Sequence, residues 1–315
     1  MNNNVKLTVS IASILVAAGL VLMGVAFMLS GGDITKLNTQ NLTYTEKRAE
    51  FDASKFSLMS LKDSNNSVKL LPSPDNKIYI TYYESEKTHY AFDQSQAGAL
   101  KITYVSDFHW FDLVGITFLS TDTTVVIEIP QNTDMELDIK TSNGGISVND
   151  LTMKKPLSFK SSNGKITLAN ISTDDKIYAK TSNSKITFSE VSCGGGELET
   201  SDGKIELVNA SFYGDVNGKT SNGNILLTDV SCMDRIEMRT SNSPIEFSNL
   251  DCGYTDLETS NGRISGTVAG KHGDYNFTTK TSNGNISVPD SEPGGKTFIA
   301  KTSNSKITIE YATAF

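Results

Sequence analysis

From Thr141 onward the chain alternates between a fixed polar cluster and short runs in which every second residue is apolar. The cluster reads Thr/Ser-Ser-Asn/Asp-Gly/Ser-x-Ile and begins at Thr141, Ser161, Thr181, Thr200, Thr220, Thr240, Thr259, Thr281 and Thr302. Successive copies lie 20, 20, 19, 20, 20, 19, 22 and 21 residues apart. Two places after the cluster isoleucine comes another apolar residue, as in Ile166/Leu168, Ile186/Phe188 and Ile225/Leu227; only Ile264/Gly266 departs. A period of two predicts a strand with one buried face. A second short strand precedes each cluster, as in Leu157/Phe159, Ile177/Ala179 and Ile236/Met238, and a third apolar position falls between them at Leu151, Ile171, Val191, Val230 and Leu250. No segment here has a helical period.

Two short strands in about 20 residues cannot bury a core alone, but stacked copies can. A propeller needs about 40 residues and four strands per blade, so the period excludes it. The predicted fold is all-β: a single-chain parallel β-solenoid of about 20 residues per coil. Its nine coils, ~4.8 Å apart, make a rod of roughly 40 Å. Asn-Gly suits the coil corner, because asparagine tolerates left-handed backbone and glycine permits positive φ. The asparagines then stack as a side-chain ladder through Asn143, Asn163, Asn183, Asp202, Asn222, Asn242, Asn261, Asn283 and Asn304, with Asp202 as the break.

The rest of the chain divides around this region. Residues 1–30 form a membrane anchor whose uncharged span, residues 7–29, reaches roughly 35 Å as a helix, enough for a ~30 Å hydrocarbon core. Residues 31–50 are polar and read as a stalk. Residues 51–132 carry alternating strands (Ile78/Ile80/Tyr82, Leu100/Ile102/Tyr104, Val125/Ile127/Ile129) and read as an N-terminal β cap; residues 133–315 are the solenoid. Within the cap, "FHWFDLVGITF" is very apolar for a loop. It is a candidate plug over the core end, with Phe108, Trp110 and Phe111 as the alternative membrane or ligand contact.

"NKIYITYY", "GALKITYV", "TVVIEIPQNTDMELDIKTSNGGISV" and the later TSNGxI coils resemble a bacterial adhesin-type family of β-strand-repeat domains of unknown function, over Leu58–Ile309. The resemblance implies a membrane-attached, solenoidal, extracytoplasmic domain and brings no catalytic residues.

Composition narrows the function. Hydrophobic residues are 37% of 315 and the formal net charge is −8, which argues against a general nucleic-acid binder. The three histidines lack metal-ligand spacing, no nucleophile or phosphate-loop motif occurs, and no cofactor is expected. Stacking nevertheless builds a basic edge from Lys160, Lys165, Lys180, Lys185 and Lys204, a candidate site for an anionic cell-wall polymer or polysaccharide. Cys193, Cys232 and Cys252 share one column; Cys232 and Cys252, on adjacent coils, are a candidate disulfide. Glu237 and Asp256 also stack, as a carbohydrate-cleaving pair would, yet these coils have almost no loops to wall a groove. The leading expectation is a non-enzymatic, single-pass cell-surface protein, an adhesin or envelope-binding scaffold, with a cytoplasmic N-terminus and an extracytoplasmic body. A rod self-assembling through its C-terminal end as a homo-oligomer is the second reading, and a carbohydrate-active enzyme the third.

Overall fold

The computed structural model describes residues 3–29, 31–32, 43–107, 122–290 and 295–312. Helix α1 (Asn3–Leu29) is the one helix among them of membrane-spanning length; its window Ala12–Leu29 has a mean hydropathy of 2.5. Among the described residues, it belongs to a unit with 84–89. The rest of the described chain from Glu46 onward forms a second unit, the β-solenoid.

Twenty-one strands make it. The first seven are β1 (Thr45–Asp52), β2 (Leu58–Lys62), β3 (Val68–Pro72), β4 (Lys77–Glu84), β5 (Thr88–Asp93), β6 (Ala99–Ser106) and β7 (Val125–Ile129). The regular coils use β8 (Glu136–Lys140), β9 (Ile146–Met153), β10 (Leu157–Lys160), β11 (Ile166–Lys180), β12 (Ile186–Glu199), β13 (Ile205–Phe212), β14 (Val216–Lys219), β15 (Ile225–Thr240), β16 (Ile245–Thr259) and β17 (Ile264–Val268). The last four are β18 (Tyr275–Lys280), β19 (Ile286–Ser287), β20 (Lys296–Lys301) and β21 (Ile307–Tyr311).

In the middle, each strand pairs in parallel with its counterpart one repeat away: Ile166 with Ile186, Ile186 with Ile205, Ile205 with Ile225 and Ile225 with Ile245. The alternating apolar residues point inward and stack like on like. Ile166, Leu168, Ile186, Phe188, Ile205, Leu207, Ile225 and Leu227 are fully buried. At roughly 1.5–3 kcal/mol per buried side chain, these columns are the main stabilising force.

All nine clusters fold into the same corner, but for a reason other than the expected one. Neither the corner asparagines nor the corner glycines have positive φ. Glycine is needed because the coils approach closely: a Cβ on Gly164, Gly203 or Gly223 would lie 1.7–1.8 Å from a carbonyl oxygen one coil back. Where serine stands instead, its hydroxyl donates to that coil, Ser184 to the Asn163 carbonyl (2.6 Å) and Ser243 to the Asn222 carbonyl (2.5 Å). The leading Thr or Ser also has a task. It is buried at every corner but Thr281, which is half-buried, and its hydroxyl donates to the corner carbonyl of the neighbouring coil, as from Thr181 to Gly164 and from Thr220 to Gly203 (3.0 Å each).

Left-handed backbone occurs at a second corner that the sequence pattern did not announce. Asp150, Asn170, Glu190, Asn209, Asp229 and Asn249 have φ of 51° to 57°, one per coil, four residues after the cluster isoleucine. Asn170 donates to Asp150 and Asn249 to Asp229, at 2.8 and 2.9 Å.

At both ends the order of coils in space departs from their order in sequence. The segment of β2 and β3 lies between β6–β7 and β8–β9: Leu58 pairs with both Ala99 and Glu136, and Val68 with both Val125 and Ile146. It carries a tenth, disguised corner, "KDSNNSVKL", in which Asp63 takes the threonine place and Val68 the isoleucine place. The Asp63 carboxylate accepts from the Asn65 and Asn66 amides (2.8 Å each) and from the Tyr90 hydroxyl. Solenoid pairing thus begins at Leu58, inside the segment expected to be a cap, and strand β1 occupies the end of the expected stalk.

The C-terminal coil behaves likewise. Strand β20 pairs with both β16 and β18, and β21 with both β17 and β19. The last coil of the sequence is therefore the penultimate layer, and β18–β19 lie beyond it. Aromatic rings pack at each end: Phe51, Phe56, Tyr82, Tyr90 and Phe92 at one, and Phe247, Tyr275, Phe277, Phe298 and Tyr311 at the other. Phe108, Trp110 and Phe111, the expected plug or membrane contact, lie outside the described residues.

Candidate functional site

The asparagine column forms a hydrogen-bonded ladder. Asn143 donates to Asn65, Asn163 to Asn143, and Asn183 to Asn163; Asn222 donates to Asp202, Asn242 to Asn222, and Asn261 to Asn242, all within 2.5–2.9 Å. The ladder then follows spatial order: Asn304 donates to Asn261, and Asn283 to Asn304. Asp202 accepts from Asn222, but a carboxylate has no proton to donate toward Asn183. These side chains have their hydrogen bonds within the stack, so the column is structural first.

The five lysines separate into two kinds. Lys180 pairs with Glu199 at 2.7 Å and Lys204 with Glu206 at 2.9 Å. Among the described residues, Lys160, Lys165 and Lys185 make no ion pair. Lys165 and Lys185 stand on successive coils, since Ile146 and Ile166 donate to their carbonyls. Lys160 leads into the corner that Lys165 leaves. The corner thus sets three uncompensated positive charges together on a chain of net negative charge.

Beside them, on the face formed by β10, β11, β12, β14 and β15, runs a groove of about 540 Å³. Lys160, Lys180, Lys219 and Arg239 supply cationic lining, Tyr178 an aromatic ring, and Glu197, Glu199 and Asn217 acceptors. Gly218 stands on an inward position in this wall, where a Cβ would meet the Met238 sulfur at 2.3 Å. The structure brings Lys160 and Lys180 to the groove and places Lys165, Lys185 and Lys204 around the corner from it.

The carboxylate pair is differently employed. Glu237 and Asp256 are neighbours in register, yet Arg239 hydrogen-bonds Glu237 and lies 3.3 Å from Asp256, and Arg235 lies 3.2 and 3.7 Å from the same two. The hydrogen bond from Arg239 holds the Glu237 carboxyl below its ordinary range despite partial burial. A glycosidase acid needs the opposite shift.

The three cysteines share one inward column, in the order Cys193, Phe212, Cys232, Cys252. All are buried free thiols. Burial pushes Cys193 up to about 12.

No curated protein matches this chain. Its fold is similar to solved structures at low identity. A "putative adhesin" from Bacteroides fragilis NCTC 9343 is 10% identical, with 84% of this chain and 97% of that chain covered and a TM-score of 0.44. A "putative lipid binding protein" from Parabacteroides distasonis ATCC 8503 is 16% identical, covering 85% and 97%, with a TM-score of 0.38. A "putative adhesin" from Parabacteroides merdae ATCC 43184 is 12% identical, covering 83% and 97%, with a TM-score of 0.32. The family model matches residues 56–314, from just ahead of β2 to past the last strand; the chain belongs to the Toastrack DUF4097 family.

Proposed function

We propose that this chain is a non-enzymatic, membrane-tethered surface protein that binds an anionic cell-wall polymer or acidic polysaccharide along its solenoid. The single observation that carries this reading is the unpaired set Lys160, Lys165 and Lys185, of which Lys160 lines the groove and the other two stand around the corner from it. Regularly spaced cations on a stiff β surface match a polymer with regularly spaced anions, and ordered coils lose little entropy on binding. Helix α1 supplies the tether, with its N-terminus in the cytoplasm and the body outside. The arginine clamp on Glu237 and Asp256 speaks against glycan cleavage. Self-assembly through the last residues is also disfavoured, because β20 and β21 are paired on both sides.

The test is co-sedimentation of the body with purified anionic wall polymer. Reversing Lys160, Lys165 and Lys185 to glutamate should lower affinity at least tenfold. Reversing the ion-paired Lys204 should change it little. Equal affinities for all forms sink the proposal. Protease added to intact cells tests the orientation, and a fully protected body would overturn it.

A further inference from the structure

The cysteine column carries a second, independent inference. Cys232 and Cys252 sit opposite each other in register on β15 and β16, both facing the core, at 4% and 1% exposure. Neighbouring parallel strands are ~4.8 Å apart, inside the ~4.4–6.8 Å Cα window of a disulfide. The register of β15 against β16 shifts just after Cys232, as that of β11 against β12 does just after Thr173, so the backbone there is irregular. A cavity of about 310 Å³ opens beside this point, lined by Ser231, Cys232, Met233, Asp251, Gly253 and Lys296. It gives a small reagent access to one thiol of the pair, and the Lys296–Asp251 ion pair stands at its rim. Cys252 does not line the cavity, and Phe212 separates Cys193 from both.

We propose that Cys232 and Cys252 form a redox-active dithiol, with Cys232 as the attacking sulfur and Cys252 as the resolving one. The Cys232 thiolate attacks one sulfur of a small disulfide, RSSR, forming Cys232–S–S–R and releasing RS⁻. Cys252 then loses its proton and attacks the Cys232 sulfur, releasing a second RS⁻ and leaving a bond between the two coils. The protein gives up two electrons and two protons, and the small disulfide is reduced to two thiols. Hydrogen bonding from Cys252 pulls the Cys232 thiol below its ordinary value, and the same contact together with burial raises Cys252, which matches this division of labour.

The experiment treats the full chain in detergent with oxidised glutathione, quenches in acid, then alkylates under denaturing conditions. Mass spectrometry should find Cys193 alkylated and one cross-linked peptide pair joining Cys232 to Cys252, lighter by two hydrogens. Dithiothreitol should restore three alkylated cysteines. Cys252→Ser should trap glutathione on Cys232; Cys232→Ser should leave Cys252 unmodified. The oxidised form should melt several degrees higher than the reduced one. Three alkylated cysteines after oxidation, or a persistent glutathione adduct on the native chain, would overturn the proposal. So would a cross-link involving Cys193.

Discussion

Between Thr141 and Val268 the chain stacks as it is written, each coil resting on the one about 20 residues earlier. At the two ends it does not. Leu58 reaches across to Glu136, Leu257 to Ala300 and Ile264 to Ile307, with another segment closing over the outside each time. The middle therefore depends on near-neighbour pairing that can propagate coil by coil. The ends depend on closing loops of forty residues and more before any burial is gained, which is the slower and more cooperative kind of contact. A repeat fixes what each coil looks like, whereas the terminal crossovers fix where the stack stops.

Removing residues 296–315 is the strongest way to break this contrast. It extracts a layer whose Phe298, Ala300, Ile307 and Ile309 are buried between two others. At ~2–3 kcal/mol for each large side chain, the loss exceeds what the β18–β19 layer can survive. Limited proteolysis should release the segment after Val268 while leaving the middle coils resistant; a wholly unfolded protein would show that the end coil is needed throughout. A smaller effect comes from the same substitution at two places. A Cβ on Gly223 would meet the Gly203 oxygen at 1.7 Å, and one on Gly284 the Ser305 oxygen at 1.9 Å. Gly223→Val should lower global stability by ~3 kcal/mol or more, since coils on both sides hold it. Gly284→Val should cost ~1 kcal/mol and show mainly as faster amide exchange in β18 and β19. Equal global losses would erase the distinction between middle and end. Smallest is a change that strengthens the middle. Glu190 holds a φ of 56° in a column otherwise filled by Asn and Asp. Asn there should raise the unfolding free energy by ~0.5–1 kcal/mol, measured in denaturant, because asparagine tolerates left-handed backbone better.

The sequence made the coil period, the inward columns and the asparagine column plain, because each repeats at a fixed spacing and burial tolerates few residue types there. The stacking order was not readable. Asn261, Asn283 and Asn304 sit in nearly identical corners, so local sequence does not say which rests on which; only the slightly longer spacings after Thr259 set that region apart. The corner at Asp63 escaped notice because a carboxylate and Asn66 replace the usual threonine and glycine, although "DSNN" keeps the spacing. The left-handed corner was missed because Asp150, Asn170 and Glu190 look like ordinary exposed polar residues. The candidate site was half legible. The lysine columns followed from the period, but which lysines are neutralised depended on Glu199 and Glu206, whose rotamers no spacing predicts. The groove depended on Gly218 and Tyr178, single departures from the repeat. The arginine clamp on Glu237 needed Arg235 and Arg239 to converge from one strand.

The tucked-in ends also determine how such a protein can change length. Adding twenty residues after the last strand would create a coil with no berth, since the outermost layer there is made by β18 and β19. A tandem duplication between Thr141 and Val268 meets no such obstacle: the new coil pairs above and below, the ladder gains a rung, and both closures are left as they were. The molecule is built to be lengthened from within, so the number of its coils is an inherited variable while its closures are constants.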